Sequence, residues 1–413
     1  MTKPSRNLAQ IVVVGGGFAG LWAAVAASRR LAVQEGNKAS VTLISRDPYL
    51  TIRPRLYEAN PRELRVPLVS VLNPVNANFL EANVVALDPS GQRITLEDSA
   101  SGRVEIAYDR LILATGSELR SLPVRGLAEH AFNIDTWAAA VILDEHLAKL
   151  GRAESAWPGR DTIVIVGAGF TGIELVTGMR SRLATHWGQA QAAAARVILV
   201  QRSGVVGPDL GENPRPHIEA ALRKQQIELR PNTQLARVES DAVWLASGER
   251  IEASTTIVTA GLHASPLAKV VPGAVLDELG RLHVDSTLQV AGVRGIYAAG
   301  DIARAYVDDK HLALMSCQHA ILMGEVAGHN AARDLLGLTS LPYRQPDYVT
   351  CLDLGPTNAL FTEGWERLVR HTDSEGKKLK RQINTEWIYP PKGDRTAIFE
   401  AIHIDLQRSN IYD

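Results

Sequence analysis

Two stretches of this chain carry the same punctuation: IVVVGGGFAGLWAA from Ile11 to Ala24, and IVIVGAGFTGIELV from Ile163 to Val176. In each, a short β-branched run of the kind buried on both faces in a parallel sheet leads into G-x-G-x-x-G and then into a helix-forming stretch. The glycines are Gly15, Gly17 and Gly20 in the first copy and Gly167, Gly169 and Gly172 in the second. Their jobs differ. The first permits a tight turn, the second lets a pyrophosphate approach the backbone, and the third lets the helix close on the strand. A phosphate then rests on free N–H groups at the positive end of the helix. Strands SVTLIS, ending at Ser45, and RVILVQ, ending at Gln201, follow each turn by about 30 residues and complete a βαβ unit. One such motif is weak, because glycine is common and strand–helix packing alone can require it. Two copies in full strand–turn–helix–strand context predict a chain that holds two dinucleotides.

With 413 residues the chain has room for two or three domains. Its 44 basic and 45 acidic residues nearly cancel, so no field draws in nucleic acid and no such partner is expected. Cys317 and Cys351 are far apart and in no CxxC arrangement, which argues against a disulfide framework, a structural zinc site or any other metal. The start, MTKPSRNLAQ, lacks the apolar core of a secretory signal. No apolar run reaches the roughly 18 residues of a membrane-spanning helix. A cytoplasmic location is expected, with at most weak peripheral contact at the inner face of the membrane.

Three further stretches fall in order around the turns. YDRLILATGS (Tyr108–Ser117) is an apolar strand ending in Ala114, Thr115 and Gly116. TIVTAGLHASP (Thr256–Pro266), with Ala260 and Gly261, is its counterpart after the second unit, and GIYAAGDIA (Gly295–Ala303) ends a strand in Gly300 and Asp301. The set resembles the two-dinucleotide-binding-domain flavoproteins of the pyridine nucleotide–disulfide oxidoreductase superfamily. That resemblance implies an α/β fold: two Rossmann-like three-layer domains, the second inserted in the first, plus a small C-terminal α+β domain. It implies FAD on the first turn, held by Gly15, Gly17, Phe18, Ala19, Gly20, Ser45, Arg46, Val85, Ala114, Thr115, Gly116, Gly300 and Asp301. It implies NADH or NADPH on the second, held by Gly167, Gly169, Phe170, Thr171, Gly172, Gln201, Arg202, Ala260 and Gly261. Asp301 is expected to meet the ribityl chain, or to cap a helix after it. The FAD domain is expected over 1–125 and 262–340, the nicotinamide domain over 126–261, and the C-terminal domain over 341–413. This last part is expected to form a face of the acceptor pocket, a membrane contact or a dimer contact, in a homodimer. GRAESAWPGR (Gly151–Arg160) leads into the insert, and Gln189–Ala195 reads as helix or loop.

Neither second strand ends in the acid that usually grips the ribose hydroxyls. Ser45-Arg46 stands at the first site, where Ser45 still hydrogen-bonds. Gln201-Arg202 stands at the second, where nothing repels a 2′-phosphate and Arg202 could pair with one. The choice between NADH and NADPH stays open.

The acceptor is narrowed by what is missing. No cysteine pair, and no single peroxidatic cysteine, accompanies the first turn, and the F-x-G-x-x-x-H-x-x-x-W run is absent. YLTIRPRLYEA (Tyr49–Ala59), SCQHAILMGEVAGHN (Ser316–Asn330), LGPTNALFTEGW, GKKLKRQIN and WIYPP resemble the type II NADH dehydrogenases, single-subunit NADH:quinone oxidoreductases. This resemblance implies Arg53 and Pro54 in a loop beside the flavin ring, and Glu174 at the nicotinamide–flavin contact. It also implies Gln318, His319 and Ala320 on the acceptor side. The family segment A-Q-x-A-x-Q loses its second glutamine to Leu322 here, so a quinone is gripped more loosely. From the residues alone, Glu174 also reads as a first-turn acid complementing the helix dipole, and Gln318 as a helix-start residue serving the backbone. His319 reads as a proton relay or a packing residue. Lys377, Lys378, Lys380 and Arg381 read as a solvated face, or as a lipid contact worth about 1 kcal/mol per residue. AIFEAIHIDL (Ala397–Leu406) alternates like a strand.

The expected activity is that of an FAD-dependent NAD(P)H oxidoreductase with a quinone-like small-molecule electron acceptor. The alternatives are a ferredoxin or rubredoxin reductase, which needs a charged docking face, and an oxidative tailoring enzyme of a biosynthetic pathway. A non-catalytic NAD(H)-sensing flavoprotein of the apoptosis-inducing-factor kind, with slow turnover, is the fourth.

Overall fold

Parallel pairing of short β-branched strands organises the computed structural model, which describes residues 8–34, 39–98, 102–152 and 157–404. Five strands form the first parallel sheet, in the order Ile296–Ala298, Arg110–Leu113, Ala9–Val14, Ala39–Ser45, Asn78–Glu81. The central strand buries Ile11, Val12 and Val13 completely, which is why it is apolar on successive residues rather than alternate ones. A second parallel sheet repeats the design, in the order Glu228–Arg230, Arg196–Val200, Thr162–Val166, Thr255–Val258. Its strands lie in sequence between Arg110–Leu113 and Ile296–Ala298 of the first. Each sheet is accompanied by a three-stranded antiparallel one, Asn83–Asp88 with Arg93–Asp98 and Gly102–Ala107, and Leu235–Val238 with Ala242–Leu245 and Arg250–Glu252. The chain leaves and re-enters through one antiparallel pair, Ser117–Leu119 against Leu262–Ala264. The α/β class expected from the two turns is the one observed.

Helix Phe18–Ala32 crosses helix Cys317–Leu335 at backbone contact. A Cβ at Gly324 would lie 2.2 Å from the Ala19 carbonyl oxygen, and one at Gly328 would lie 2.0 Å from that of Ala23. Only glycine fits so close an approach. The crossing brings the start of the later helix beside the first glycine turn.

After residue 340 the chain builds an antiparallel sheet, Val349–Asp353, Ala359–Glu363 and Leu368–His371, with helix Asp373–Gln382 packed on it. The strand-like reading of Ala397–Leu406 is corrected. Ala397 to Glu400 belong to helix Arg395–Glu400, where the Asp394 carboxylate accepts the Ala397 N–H at 3.0 Å. Ile398 and Ile402, four apart, bury on one side, so a cap and a helical spacing outweigh the alternation. Asp405 and Leu406 lie outside the described residues, as do residues 1–7 of the polar start and 153–156 of the lead into the insert. Gln189–Ala194 is helical. Among the described residues, no helix is long and apolar enough to cross a membrane.

Candidate functional site

Both glycine turns share one backbone. Gly15 and Gly167 have φ of +117° and +107°, a region closed to most side chains. Their N–H groups donate to Ile44 and Val200 at 2.8 and 2.9 Å. A Cβ on Gly20 or Gly172 would sit 1.8 Å from the carbonyl oxygen of Gly15 or Gly167. The protein's own packing therefore accounts for four of the six glycines. Gly17 and Gly169 are different: their φ values of −81° and −79° suit any residue, and a Cβ there meets nothing within 4 Å. Both helices start without a side-chain cap and without an acid in the first turn. Uncapped amides facing open space form an anion cradle.

Around the first turn the motifs converge. A Cβ on Gly300 would lie 2.9 Å from the Ala19 Cβ and 3.5 Å from that of Ala320, which ties the first helix, the Gly-Asp turn and the later helix together. Pro54 lies in a one-turn 3-10 helix, Arg53–Arg55. Arg53 donates to the Ser117 hydroxyl at 2.9 Å, pairs with Asp135, and lies 3.8 Å from Asp301. Ser117 donates to Asp301 at 2.6 Å. Burial pushes the Asp301 carboxyl above its ordinary value, with Ser117 and Arg53 opposing. Asp301 caps no helix: it occupies the short turn Gly300–Ile302, which runs into strand Ala303–Arg304, and the next long helix starts only at Cys317. Thr115, between buried Ala114 and Gly116 at φ +69°, has a buried hydroxyl with no partner among the described residues. Ser45 reaches toward Gly16, Arg46 is exposed, and Val85 sits at a register shift between Val84 and Ala86.

Gln318 and His319, 4% and 0% exposed, begin the Cys317–Leu335 helix. Ser316, not Gln318, serves the helix start, its hydroxyl accepting the His319 N–H. The Nε2 atoms of both Gln318 and His319 are buried without a partner among the described residues. His319 Nδ1 meets the Ser316 hydroxyl at 2.9 Å, and its ring stacks on Tyr348, which stacks on Trp365. Burial lowers the His319 pKa to about 4, so it is neutral at pH 7.

Around the second turn, the Gln201 side chain accepts the Ala168 N–H at 3.1 Å and donates to Ser203 at 2.6 Å. Arg202 and Thr171 are exposed and Phe170 is half-buried. Thr259 donates to the Gly167 carbonyl at 3.0 Å, just before Ala260 and Gly261. Glu174 lies beyond the first helical turn, so its reading as a dipole-complementing acid is corrected. It is buried, bonds Lys380 Nζ at 2.8 Å, and accepts the Asp353 N–H at 2.9 Å. Burial pushes its carboxyl up to about 7 against the pull of Lys380. Burial works against the Lys380 charge as well, and Glu174, with Cys351 and Asp353, more than offsets it, leaving that ammonium's pKa raised. Lys380 also donates to the Cys351 carbonyl at 3.0 Å, while Lys377 holds Asp353 at 2.6 Å and Tyr57 donates to Asp353 at 2.8 Å.

The basic cluster is therefore not one solvated or lipid-facing surface. Lys378 and Arg381 are exposed, but Lys377 and Lys380 are taken up by buried partners. Lys380, Asp353 and Tyr57 escaped sequence reasoning as site groups, since nothing local tells which lysine of a basic run turns inward. They border a cleft of ≈ 350 Å³ that also reaches Arg55, Glu58 and Arg182.

Comparison with known proteins fits this geometry. The family model for pyridine nucleotide-disulphide oxidoreductases matches residues 9–324. An NADH dehydrogenase-like protein of Mycobacterium tuberculosis is 43% identical over 400 residues, covering 95% of this chain and 98% of the relative. A type II NADH:quinone oxidoreductase of Staphylococcus epidermidis is 25% identical over 404 residues, covering 93% and 96%. The structure of NDH2 from Plasmodium falciparum in complex with NADH superposes with a TM-score of 0.74 at 14% identity, covering 97% of this chain and 98% of that one.

Proposed function

Since the chain belongs to the pyridine nucleotide–disulphide oxidoreductase family, we propose that it is an FAD-dependent NAD(P)H oxidoreductase of the type II NADH dehydrogenase kind, reducing a quinone or similar small acceptor. One observation carries this reading. Gly17 and Gly169 are glycines that no described residue requires, each at the uncapped start of a helix on a βαβ turn. A ligand backbone with two phosphates is what such a position excludes a side chain for.

In this reading residues 1–125 and 262–340 form the flavin unit, 126–261 the nicotinamide unit, and 341–413 the part that closes the acceptor side. The fit of FAD rests on buried polar atoms left without partners among the described residues: Thr115 Oγ1, Gln318 Nε2 and His319 Nε2. A buried polar atom without a partner is costly, so these belong with a polar ligand edge. Bound flavin supplies the redox step between a nicotinamide hydride and the acceptor. The chain's own residues bind and orient. Gly15 to Gly20 cradle the pyrophosphate. Asp301, held by Ser117 and Arg53, accepts from ribityl hydroxyls. Gly167 to Gly172, with Gln201, seat the nicotinamide dinucleotide. Gln318 Nε2 is a donor for an acceptor carbonyl, and neutral His319 shapes that side. Glu174, near neutrality in its pKa, holds or releases a proton at its carboxyl under the control of Lys380.

The quinone-type acceptor is supported by the names of the relatives and by Gln318. Leu322 in place of a second glutamine favours an acceptor held by fewer hydrogen bonds. The test is anaerobic stopped-flow reduction of the flavoprotein by NADH and NADPH, followed by reoxidation with a short-chain quinone, a ferredoxin and oxygen. Rapid bleaching by a nicotinamide and reoxidation fastest with quinone is the expected outcome. A purified protein that stays colourless with excess FAD overturns the reading.

A further inference from the structure

Resting on the nicotinamide assignment above, we infer that the loop after the second Rossmann strand, Gln201 to Gly204, forms a 2′-phosphate subsite, making NADPH the preferred reductant. The strand Arg196–Val200 delivers the chain to the place where a carboxylate would normally hold ribose hydroxyls. Gln201 stands there instead, 9% exposed and fastened at both ends of its amide. Its oxygen accepts the N–H of Ala168, between the first two glycines of the turn, and its nitrogen donates to Ser203. Ser203 in turn donates to the Val205 carbonyl at 2.9 Å, and the Ser203 carbonyl accepts the Asn232 N–H at 3.1 Å. The loop is thus held in shape by its own neutral groups. Its main-chain N–H groups at Arg202, Ser203 and Gly204 donate to no described residue.

Charge points the same way. From Gln201 to Pro208 there is no acid, so no side chain of this stretch repels a phosphate dianion. Arg202 is exposed and pairs with no described residue. The other arginine at this end of the sheet, Arg230, is engaged by Glu228 and Glu249, and Arg196 also holds Glu228 at 2.9 Å. Among the described residues, Arg202 is thus a cation on the loop without an ion-pair partner, beside unused amides. Guanidinium with backbone N–H groups is a strong receiver for phosphate. The first turn differs by an acid: there Ser45-Arg46 is followed by Asp47, whose N–H donates to the Ser45 hydroxyl at 3.3 Å and whose carboxylate pairs with Arg65.

The experiment measures binding of adenosine 2′,5′-bisphosphate and of 5′-AMP to the flavin-loaded protein by calorimetry. The ratio of kcat/KM for NADPH and NADH is measured alongside, in wild type, Arg202→Ala, Arg202→Lys and Gln201→Glu. The bisphosphate is expected to bind about tenfold more tightly than AMP, an advantage that shrinks with salt. Arg202→Ala should lower the NADPH:NADH ratio about tenfold, Arg202→Lys should keep part of it, and Gln201→Glu should reverse it. Equal binding of the two fragments at low salt overturns the subsite and leaves the dinucleotide site standing. Binding of neither fragment, with no reduction by either nicotinamide, overturns the dinucleotide reading and the subsite with it.

Discussion

The two glycine turns match in the φ angles and Cβ clearances of their glycines and are unlike in surroundings. Around the first, a second helix closes in at backbone distance, and buried Gln318, His319 and Thr115 leave polar atoms without partners among the described residues. Around the second, the strand runs into a loop whose exposed Arg202 pairs with no described residue, and the buried charges, Glu174 and Lys380, already satisfy each other. A turn walled by unpaired interior groups suits a ligand that stays; a turn opening on a cationic loop suits one that comes and goes. In the proposed reading the same motif serves a resident cofactor and a diffusing substrate, and what differs is burial around it, not the motif.

The comparison breaks most visibly at the middle glycines. Gly17→Val should leave a folded protein that retains no flavin, read from visible absorbance. Gly169→Val should stay yellow while reduction by either nicotinamide falls by 100-fold or more, on the order of 3 kcal/mol. Equal flavin loss in the two variants would erase the distinction between the turns.

Of comparable size, but read in stability, is the charge pair beside the second turn. Lys380→Met leaves the Glu174 carboxylate buried and unpaired, and should lower unfolding stability by about 3–5 kcal/mol. Glu174→Gln added to it should recover most of that loss, because the orphaned charge disappears. Urea melts of the single and double variants decide it.

On the first turn, acid should be felt through His319. Its folded pKa, lowered to about 4 by burial, lies below the ordinary value. The unfolded chain therefore takes the proton first as pH falls from about 6.5 to 4, and stability drops across that window. Between pH 7 and 5 the contribution is about 2 kcal/mol, and His319→Phe, which keeps the stack on Tyr348, should remove it. The smallest effect belongs to Gln318. Gln318→Leu should raise the acceptor KM about tenfold, or about 1.4 kcal/mol. A slowing of nicotinamide reduction instead would move Gln318 to the other side of the site.

Much of this was legible locally. The glycine turns, the strands feeding them and the helices after them follow from backbone rules within a few residues, and so did the absence of an acid after Val200. Only the helix-cap alternative for Asp301 fails, because a Gly-Asp pair after a strand looks alike whether a helix follows at once or a short strand intervenes. The first-turn-acid alternative for Glu174 and the single-surface reading of the basic run fail for another reason. A carboxylate and a lysine separated by most of the C-terminal half of the chain carry no mark of each other, and Lys380 differs from Lys378 only in the side of the helix it occupies.

The chain's residues alone determined that there would be two βαβ turns with the same glycine geometry, since φ, steric clearance and strand burial are set within one short segment. Tertiary structure decided which buried groups remain unpaired and which charges cancel. Helix Cys317–Leu335 is brought to the first turn by the close contacts of Gly324 and Gly328 with Ala19 and Ala23, and Lys380 reaches Glu174 only once the C-terminal sheet has folded beneath its helix. Desolvation and pairing depend on neighbours far away in the chain, so they exist only after the elements have packed.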